Sequence, residues 1–239
     1  MNLLLLHPRD FIDRQTVLIT DYRAHHIYKY LKPKTGDKLR VGIINENIGT
    51  GIVEITEKHR CQLQISPLKQ TPPPPLPVTL ILALPRPLML KRILQHATSL
   101  GVKHIVLLNT AHVEKSYWRS SDIKPNMLNE QLYLGLEQGI DTRLPELELA
   151  KDYKDFMQNR LVNIAQGNRV LLVPDTLQPI LEGTDDKTAH TTIVIGPERG
   201  LLDTEIDDFL DAGFEKRHLG SRTLRVETAV TAAIARLIK

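Results

Sequence analysis

The chain has 239 residues, 41% hydrophobic and 25% charged, so it is long enough for one or two packed domains and too apolar for a disordered one. A single cysteine, Cys61, excludes an internal disulfide; with no Cys/His spacing of the zinc-binding kind, it points to a reducing, cytoplasmic setting and to no metal. Net charge is only +3, but residues 1–77 carry 11 Lys/Arg against 7 Asp/Glu and the remainder 20 against 21, so the positive surplus lies in the first third.

The apolar run at residues 3–6 is too short for a secretion signal, has no basic flank before it, and meets His7, Pro8, Arg9 and Asp10 at once. No other stretch approaches the roughly 20 apolar residues of a membrane span, so no membrane partner is expected. Short β-like segments fall at 2–6, 16–20, 38–41, 51–56 and 61–66, punctuated by turn residues at 36–37, 45–47 and 49–51, the pattern of a small barrel or sandwich. One helix is expected among them, over 22–31, closed by Pro33 and Gly36.

That helix opens the most basic part of the chain. Arg23, Lys29, Lys32, Lys34, Lys38 and Arg40 face only Asp37 within residues 22–40. Interleaving with Tyr22, His25, Tyr28 and Tyr30 suits a surface that grips phosphates and stacks on bases; a solvated charged face is the plainer explanation. The neighbours His25 and His26 point in different directions on a helix and make no metal pair.

Residues 71–77 hold five prolines in seven positions, which blocks both helix and central strand. A semi-rigid linker at 72–77 is therefore expected between a domain at 1–71 and another at 78–239. From residue 78 the hydrophobic period changes. A continuous apolar run at 78–84 reads as a strand buried on both faces. A helix over 87–100 follows, with Leu90, Ile93, Leu94 and Ala97 on one stripe and Gly101 at its end. Strands are then expected at 104–109, 146–149, 170–173, 192–195 and 215–219, and helices at 123–138, 152–165, 204–212 and 226–238. The alternation predicts an α/β layer fold, a mostly parallel sheet with helices on its faces.

In such sheets, ligands lie beyond the carboxyl ends of the strands. Three loops stand there: Pro174-Asp175, residues 196–200 (Gly-Pro-Glu-Arg-Gly), and residues 220–225 (Gly-Ser-Arg-Thr-Leu-Arg). The glycines suit close approach of backbone to a ligand. The middle loop lacks the Lys and Ser/Thr of a phosphate-binding P-loop, since Leu201 and Leu202 follow it, and it is not a G-x-G-x-x-G fingerprint. Taken alone, it is explained as a plain strand-to-helix turn.

Together, Gly-Pro-Glu-x-Gly-Leu at 196–201, an acidic helix, and Leu-Gly-x-Arg-x-Leu-Arg-x-Glu-Thr-Ala at 219–229 resemble the closing signature of SPOUT-class RNA methyltransferases, and within that class the RsmE family. The resemblance is strongest over 193–235. It extends more weakly through His25-His26-Ile27, Tyr30-Leu31-Lys32, Gly36-Asp37, Leu100-Gly101-Val102, and Glu137-Gln138 with Arg143 and Pro145. The chain departs from the family pattern at Arg199, where a glycine is usual, at Ser99 for Glu, at Ser221 for Pro, and at Asp141 for Arg.

The resemblance implies a PUA-like β-barrel followed by a SPOUT domain with a trefoil knot, and methylation of uridine N3 in small-subunit (16S) ribosomal RNA. It implies S-adenosylmethionine as cofactor, wrapped by Leu172, Val173, Ile195, Gly196, Gly200, Leu219, Gly220, Ser221 and Leu224. It further implies a homodimer through the C-terminal domain, with ribosomal RNA or the small subunit as partner, gripped by Arg23, His25, His26, Lys29, Lys32 and Lys34. Arg225 is the candidate to stabilise charge on the uracil carbonyls, being too weak an acid to serve as a base. Glu198 and Glu227 are the nearby carboxylates for proton transfer, or else residues that brace a loop or helix N-terminus. A SPOUT enzyme acting on another RNA position and a non-catalytic RNA-binding assembly factor are the alternatives.

Overall fold

The computed structural model describes residues 2–183, 186 and 189–238. Packing divides the chain into two units, 1–74 with 136–144 and 75–135 with 145–239. The first boundary falls inside the proline stretch.

The first unit is built on a five-stranded mixed sheet, in the order β1-β3-β4-β5-β2. Its strands are β1 (Leu4–Leu6), β2 (Thr16–Ile19), β3 (Lys38–Ile43), β4 (Ile48–Glu57) and β5 (Arg60–Ile65). Only β1 and β3 run parallel; the other pairs are antiparallel. Alternate residues point inward, as the period of a strand dictates, and Leu4, Leu6, Val17, Ile19, Val41, Val53, Cys61 and Leu63 make the core with Ala24 and Ile27. The helix expected over 22–31 divides in two. Asp21 caps α1 (Tyr22–His26) by accepting from the Arg23 amide at 3.0 Å, and a wider π-turn, Ile27–Leu31, ends at Lys32 in the left-handed conformation, φ 48°.

Residues 136–144 return to this unit for a reason that composition does not reveal. Helix α3 (Pro125–Gly139) closes with Ile140 at φ 54° and the Asp141 amide donating to Leu136 O at 3.1 Å, a left-handed stop at a position that favours glycine. The segment beyond is tied down by backbone bonds: Asn45 N donates to Thr142 O (2.8 Å), and Leu144 N to Asn45 Oδ1 (2.9 Å). Gly42 is required there, because a Cβ on it would lie 2.5 Å from the Thr142 methyl.

The second unit holds a six-stranded, all-parallel sheet in the order β11-β9-β10-β6-β7-β8. Its strands are β6 (Leu76–Ala83), β7 (Val102–Leu108), β8 (Glu146–Ala150), β9 (Asn168–Leu172), β10 (Thr191–Ile195) and β11 (Glu215–Arg217). Strand β6 begins at Leu76, inside the expected linker. Pro77 lies where the β6–β7 register slips, between Leu76 and Thr79, as its missing N–H requires. On one side of the sheet α2 (Pro87–Ser99) packs against α7 (Val226–Leu237). Ile81, Val106, Leu171 and Val194 meet Phe156 and Leu161 from the stretch holding α4 (Tyr153–Asp155), a π-turn (Phe156–Arg160) and α5 (Leu161–Ile164), and Phe209 from α6 (Asp203–Asp211). Helices therefore cover both faces, and the central strands β6 and β10 are largely buried, while the edge strands β8 and β11 carry the exposed Glu146 and Glu215. Gly135 of α3 lets α2 come close: a Cβ on it would stand 2.7 Å from Gln95 O.

Candidate active site

Chain order runs outward from β6 through β7 to β8, then resumes on the other side of β6 at β9 and β10. The order reverses between β6 and β10, and that crevice at the carboxyl ends is where an open parallel sheet takes a ligand. Strands β11, β9 and β10 are consecutive neighbours, so the three loops noted in the sequence leave the sheet side by side. Val173 N donates to Arg217 O (2.9 Å), linking the first loop to the third. Strand β11 is shorter than expected, because the chain leaves β9 after Arg217. His218 instead exchanges bonds with the first loop, its N donating to Pro179 O (3.1 Å) and its carbonyl accepting from Leu181 N (2.8 Å).

The glycines serve different needs. Gly200 has φ 75° and Gly220 φ 129°, and a Cβ on either would meet nothing within 4 Å. Both are present for the backbone turn, and both leave bare backbone over open space, which a ligand can approach. Gly196 is packed against its own loop, a Cβ there lying 3.1 Å from Leu201 Cγ. Leu172, Val173 and Leu219 are half-buried, Ser221 and Leu224 exposed, and Ile195 is buried in the sheet. A mixed lining of partly exposed aliphatic side chains and free peptide groups suits a ligand with apolar and hydrogen-bonding parts.

Arg225 is the residue before α7, extended at φ −67°, ψ 153°; its carbonyl accepts from Ala229 N (2.8 Å), while its exposed guanidinium has no hydrogen bond or ion pair among the described residues. Glu227 lies in the first turn of α7, half-buried, its carboxylate likewise unpaired among the described residues. Glu198 behaves as a brace. Its Oε1 accepts from Arg86 N at 3.4 Å, at the start of α2, where Pro87 opens the helix and no side chain of the helix's own supplies a cap. Arg199 is exposed beside it.

Two residues that the sequence did not mark shape the middle loop. Glu205, buried, accepts from Leu202 N (2.9 Å) and, on its other oxygen, from Ala111 N (2.7 Å). His112 Nδ1 lies 2.8 Å from Gly200 O. Glu205 occupies the third helical position of a capping box, but the residue three before it is Leu202, not Ser or Thr, so the usual signature is missing. Nothing in the order of residues brings the loop after β7 to a loop 88 positions away.

In the first unit, one expected RNA-gripping residue needs correction. Arg23 is 2% exposed, and its guanidinium is taken up by Asp21 (Nη2 to Oδ2, 2.7 Å), Asp10 (Nη1 to Oδ2, 2.8 Å) and Leu5 O (2.6 Å). Burial alone would make it easier to deprotonate, but the bonds from both carboxylates raise its pKa above its ordinary value. It has no face left for a phosphate. Lys29, Lys32 and Lys34 are exposed, with Tyr22, Tyr28 and Tyr30 beside them in sequence and also exposed. Lys29 Nζ sits 5.1 Å from the centre of the Tyr30 ring, and His26 stacks obliquely on the same ring at 4.9 Å. His25 is half-buried and faces His59. Asp141 is buried and accepts from the Arg143 amide (2.9 Å), so the departure from arginine there changes an interior bond and not an RNA-facing surface. Ser99 ends α2 with its hydroxyl on His96 O.

His104, Glu146 and Glu148, on β7 and β8, bring three potential ligand atoms within 4.8 Å of one another. Glu148 is already paired through one oxygen with His104 (2.6 Å) and through the other with Arg160, so this group is explained as an ion-pair network. No helix among the described residues is long and apolar enough to cross a membrane.

A family model for the RNA methyltransferase domain matches residues 72–238. Along nearly its whole length the chain is similar to the ribosomal RNA small subunit methyltransferase E of Treponema pallidum, with 30% identity covering 98% of this chain and 90% of the relative. The corresponding methyltransferase E 1 of Borreliella burgdorferi is 29% identical, over 98% and 95%. Among solved structures, the methyltransferase E of Neisseria gonorrhoeae, bound to S-adenosyl methionine, superposes with a TM-score of 0.75 at 22% identity, covering 98% of this chain and 95% of that one.

Proposed function

The chain belongs to the ribosomal RNA small subunit methyltransferase E family, an RNA methyltransferase family, and on that footing we propose that it methylates N3 of a uridine in small-subunit (16S) ribosomal RNA, with S-adenosylmethionine as donor. The observation that carries this reading is the full-length match to a relative of that name, joined to three adjacent loops at the carboxyl edge of a parallel sheet.

The residues present fit the cofactor. Gly200 and Gly220 offer open backbone, while Leu172, Val173, Leu219 and Leu224 offer partly exposed aliphatic surface, with Ile195, Gly196 and Ser221 completing the set. When bound, S-adenosylmethionine supplies an activated methyl group on a sulfonium. The protein's own work is to align the target base and favour its deprotonated form. Arg225, a cation with no partner among the described residues at the mouth of the third loop, would stabilise negative charge on the uracil carbonyl oxygens. Glu227, with no partner among those residues either, is the better placed of the two carboxylates to take the N3 proton; Glu198 is engaged at the start of α2. On this reading Lys29, Lys32 and Lys34, with the tyrosines among them, hold RNA. A C-terminal trefoil knot, a homodimer through the second unit and a cytoplasmic location belong to the same proposal.

The test is to supply labelled S-adenosylmethionine with small-subunit RNA, free and assembled, and to identify the labelled nucleoside. 3-Methyluridine is the expected product. Label in another position would mark a methyltransferase of the same class with a different target; saturable RNA binding without transfer would mark an assembly factor.

A further inference from the structure

We infer that His112 is a positioning residue for the cofactor loop, holding the left-handed turn at Gly200 in its binding shape from a loop that itself belongs to another strand. The inference rests on the proposed reading of residues 196–200 as part of the cofactor site. The turn is closed from within by Gly200 N donating to Pro197 O at 2.8 Å, and Gly200 sits at φ 75°, a conformation glycine leaves easily because it has no Cβ to confine it. A turn built on glycine needs an outside hold to keep one shape. His112 supplies it: a carbonyl oxygen only accepts, so Nδ1, 2.8 Å from Gly200 O, must carry the hydrogen.

The neighbouring residue fixes the other end of the same loop, Ala111 N donating to Glu205 Oε1 while Glu205 Oε2 takes Leu202 N. The loop after β7 thus holds residues 200 and 202 at adjacent points, although β6 stands between β7 and β10 in the sheet. The two holds differ in what their removal would do. Glu205 is buried, and its loss would strand two amides. His112 is only half-buried, so its loss frees the turn without opening the core.

The test compares wild type, His112→Ala and His112→Asn for S-adenosylmethionine affinity by calorimetric titration, for RNA affinity, and for melting temperature. The Asn amide places an N–H close to where Nδ1 lies. His112→Ala should weaken cofactor affinity about three- to tenfold, the worth of one hydrogen bond, with the melting temperature and RNA affinity close to wild type. His112→Asn should recover most of the loss. Wild-type cofactor affinity in His112→Ala, or an Asn variant no better than Ala, would overturn the role of His112 alone. A wild-type protein that takes up no cofactor would overturn the reading of the loop and this inference with it.

Discussion

Arg23 and Arg225 each stand at the start of a helix, Arg23 as the second residue of α1 and Arg225 immediately before α7. Arg23 is 2% exposed and bonded on all three guanidinium nitrogens to Asp10, Asp21 and Leu5 O, while the guanidinium of Arg225 is exposed and bonded to none of the described residues. The contrast extends to their surroundings. The start of α1 is closed by its own Asp21, with the charge neutralised inside the unit; the start of α7 has neither a side-chain cap nor a counter-ion on its arginine. A cation already satisfied by two carboxylates can hold a fold together but has nothing to offer a ligand. An unpaired cation at the mouth of a ligand edge does the reverse.

The contrast is broken most sharply through stability. Arg23→Met leaves Asp10 and Asp21 facing one another without their cation, and removal of one partner from a buried pair costs roughly 3–5 kcal/mol. The partial exposure of Asp21 places the expected loss toward the lower figure. Arg225→Met should shift stability by less than about 0.5 kcal/mol. Urea unfolding of the two variants measures both, and an Arg23 variant with the wild-type midpoint would remove the distinction.

Next comes Glu137, in the same unit as Arg23. It is 4% exposed, with Oε1 unpaired; burial pushes its carboxyl up to about 7. Its folded-state pKa lies above the unfolded value of 4.5, so the native state holds more protons between those limits. Stability from this group is complete below about pH 4.5 and is lost as pH rises toward 7, by an amount on the order of 3 kcal/mol at 1.36 kcal/mol per unit. Glu137→Gln should flatten that slope, seen as urea midpoints measured from pH 5 to 8. A slope equal to wild type would assign the effect to another group.

The smallest effect concerns the exposed basic stretch that follows α1. On the RNA-binding reading, replacing Lys29, Lys32 and Lys34 with Gln should lower the slope of log affinity against log salt by about 0.7 for each lost contact on single strands, or about 0.9 on duplex. An unchanged slope would leave these lysines as a solvated face.

Much of this was readable in the residues. The change of period at residue 78 and the order of strands and helices follow from local pattern, because burial on one face or two imprints itself on neighbouring residues. The three loops were legible for the same reason, lying at the ends of strands that could be placed. What could not be read depended on contacts distant in sequence. Arg23 looks like any lysine or arginine on a basic helix until Asp10 is brought to it. Residues 136–144 carry no mark of the unit they join, since Ile140 occupies a left-handed position where glycine would have announced the stop. His112 and Glu205 meet the middle loop only because β6, β7 and β10 share one sheet.

The most direct measurement of whether the C-terminal loops carry the chemistry is single-turnover methyl transfer by Arg225→Ala with RNA and S-adenosylmethionine saturating. A rate about a hundredfold below wild type is expected, the usual effect of removing one group that stabilises developing charge. Transfer at the wild-type rate would contradict it and return Arg225 to the role of an ordinary surface residue.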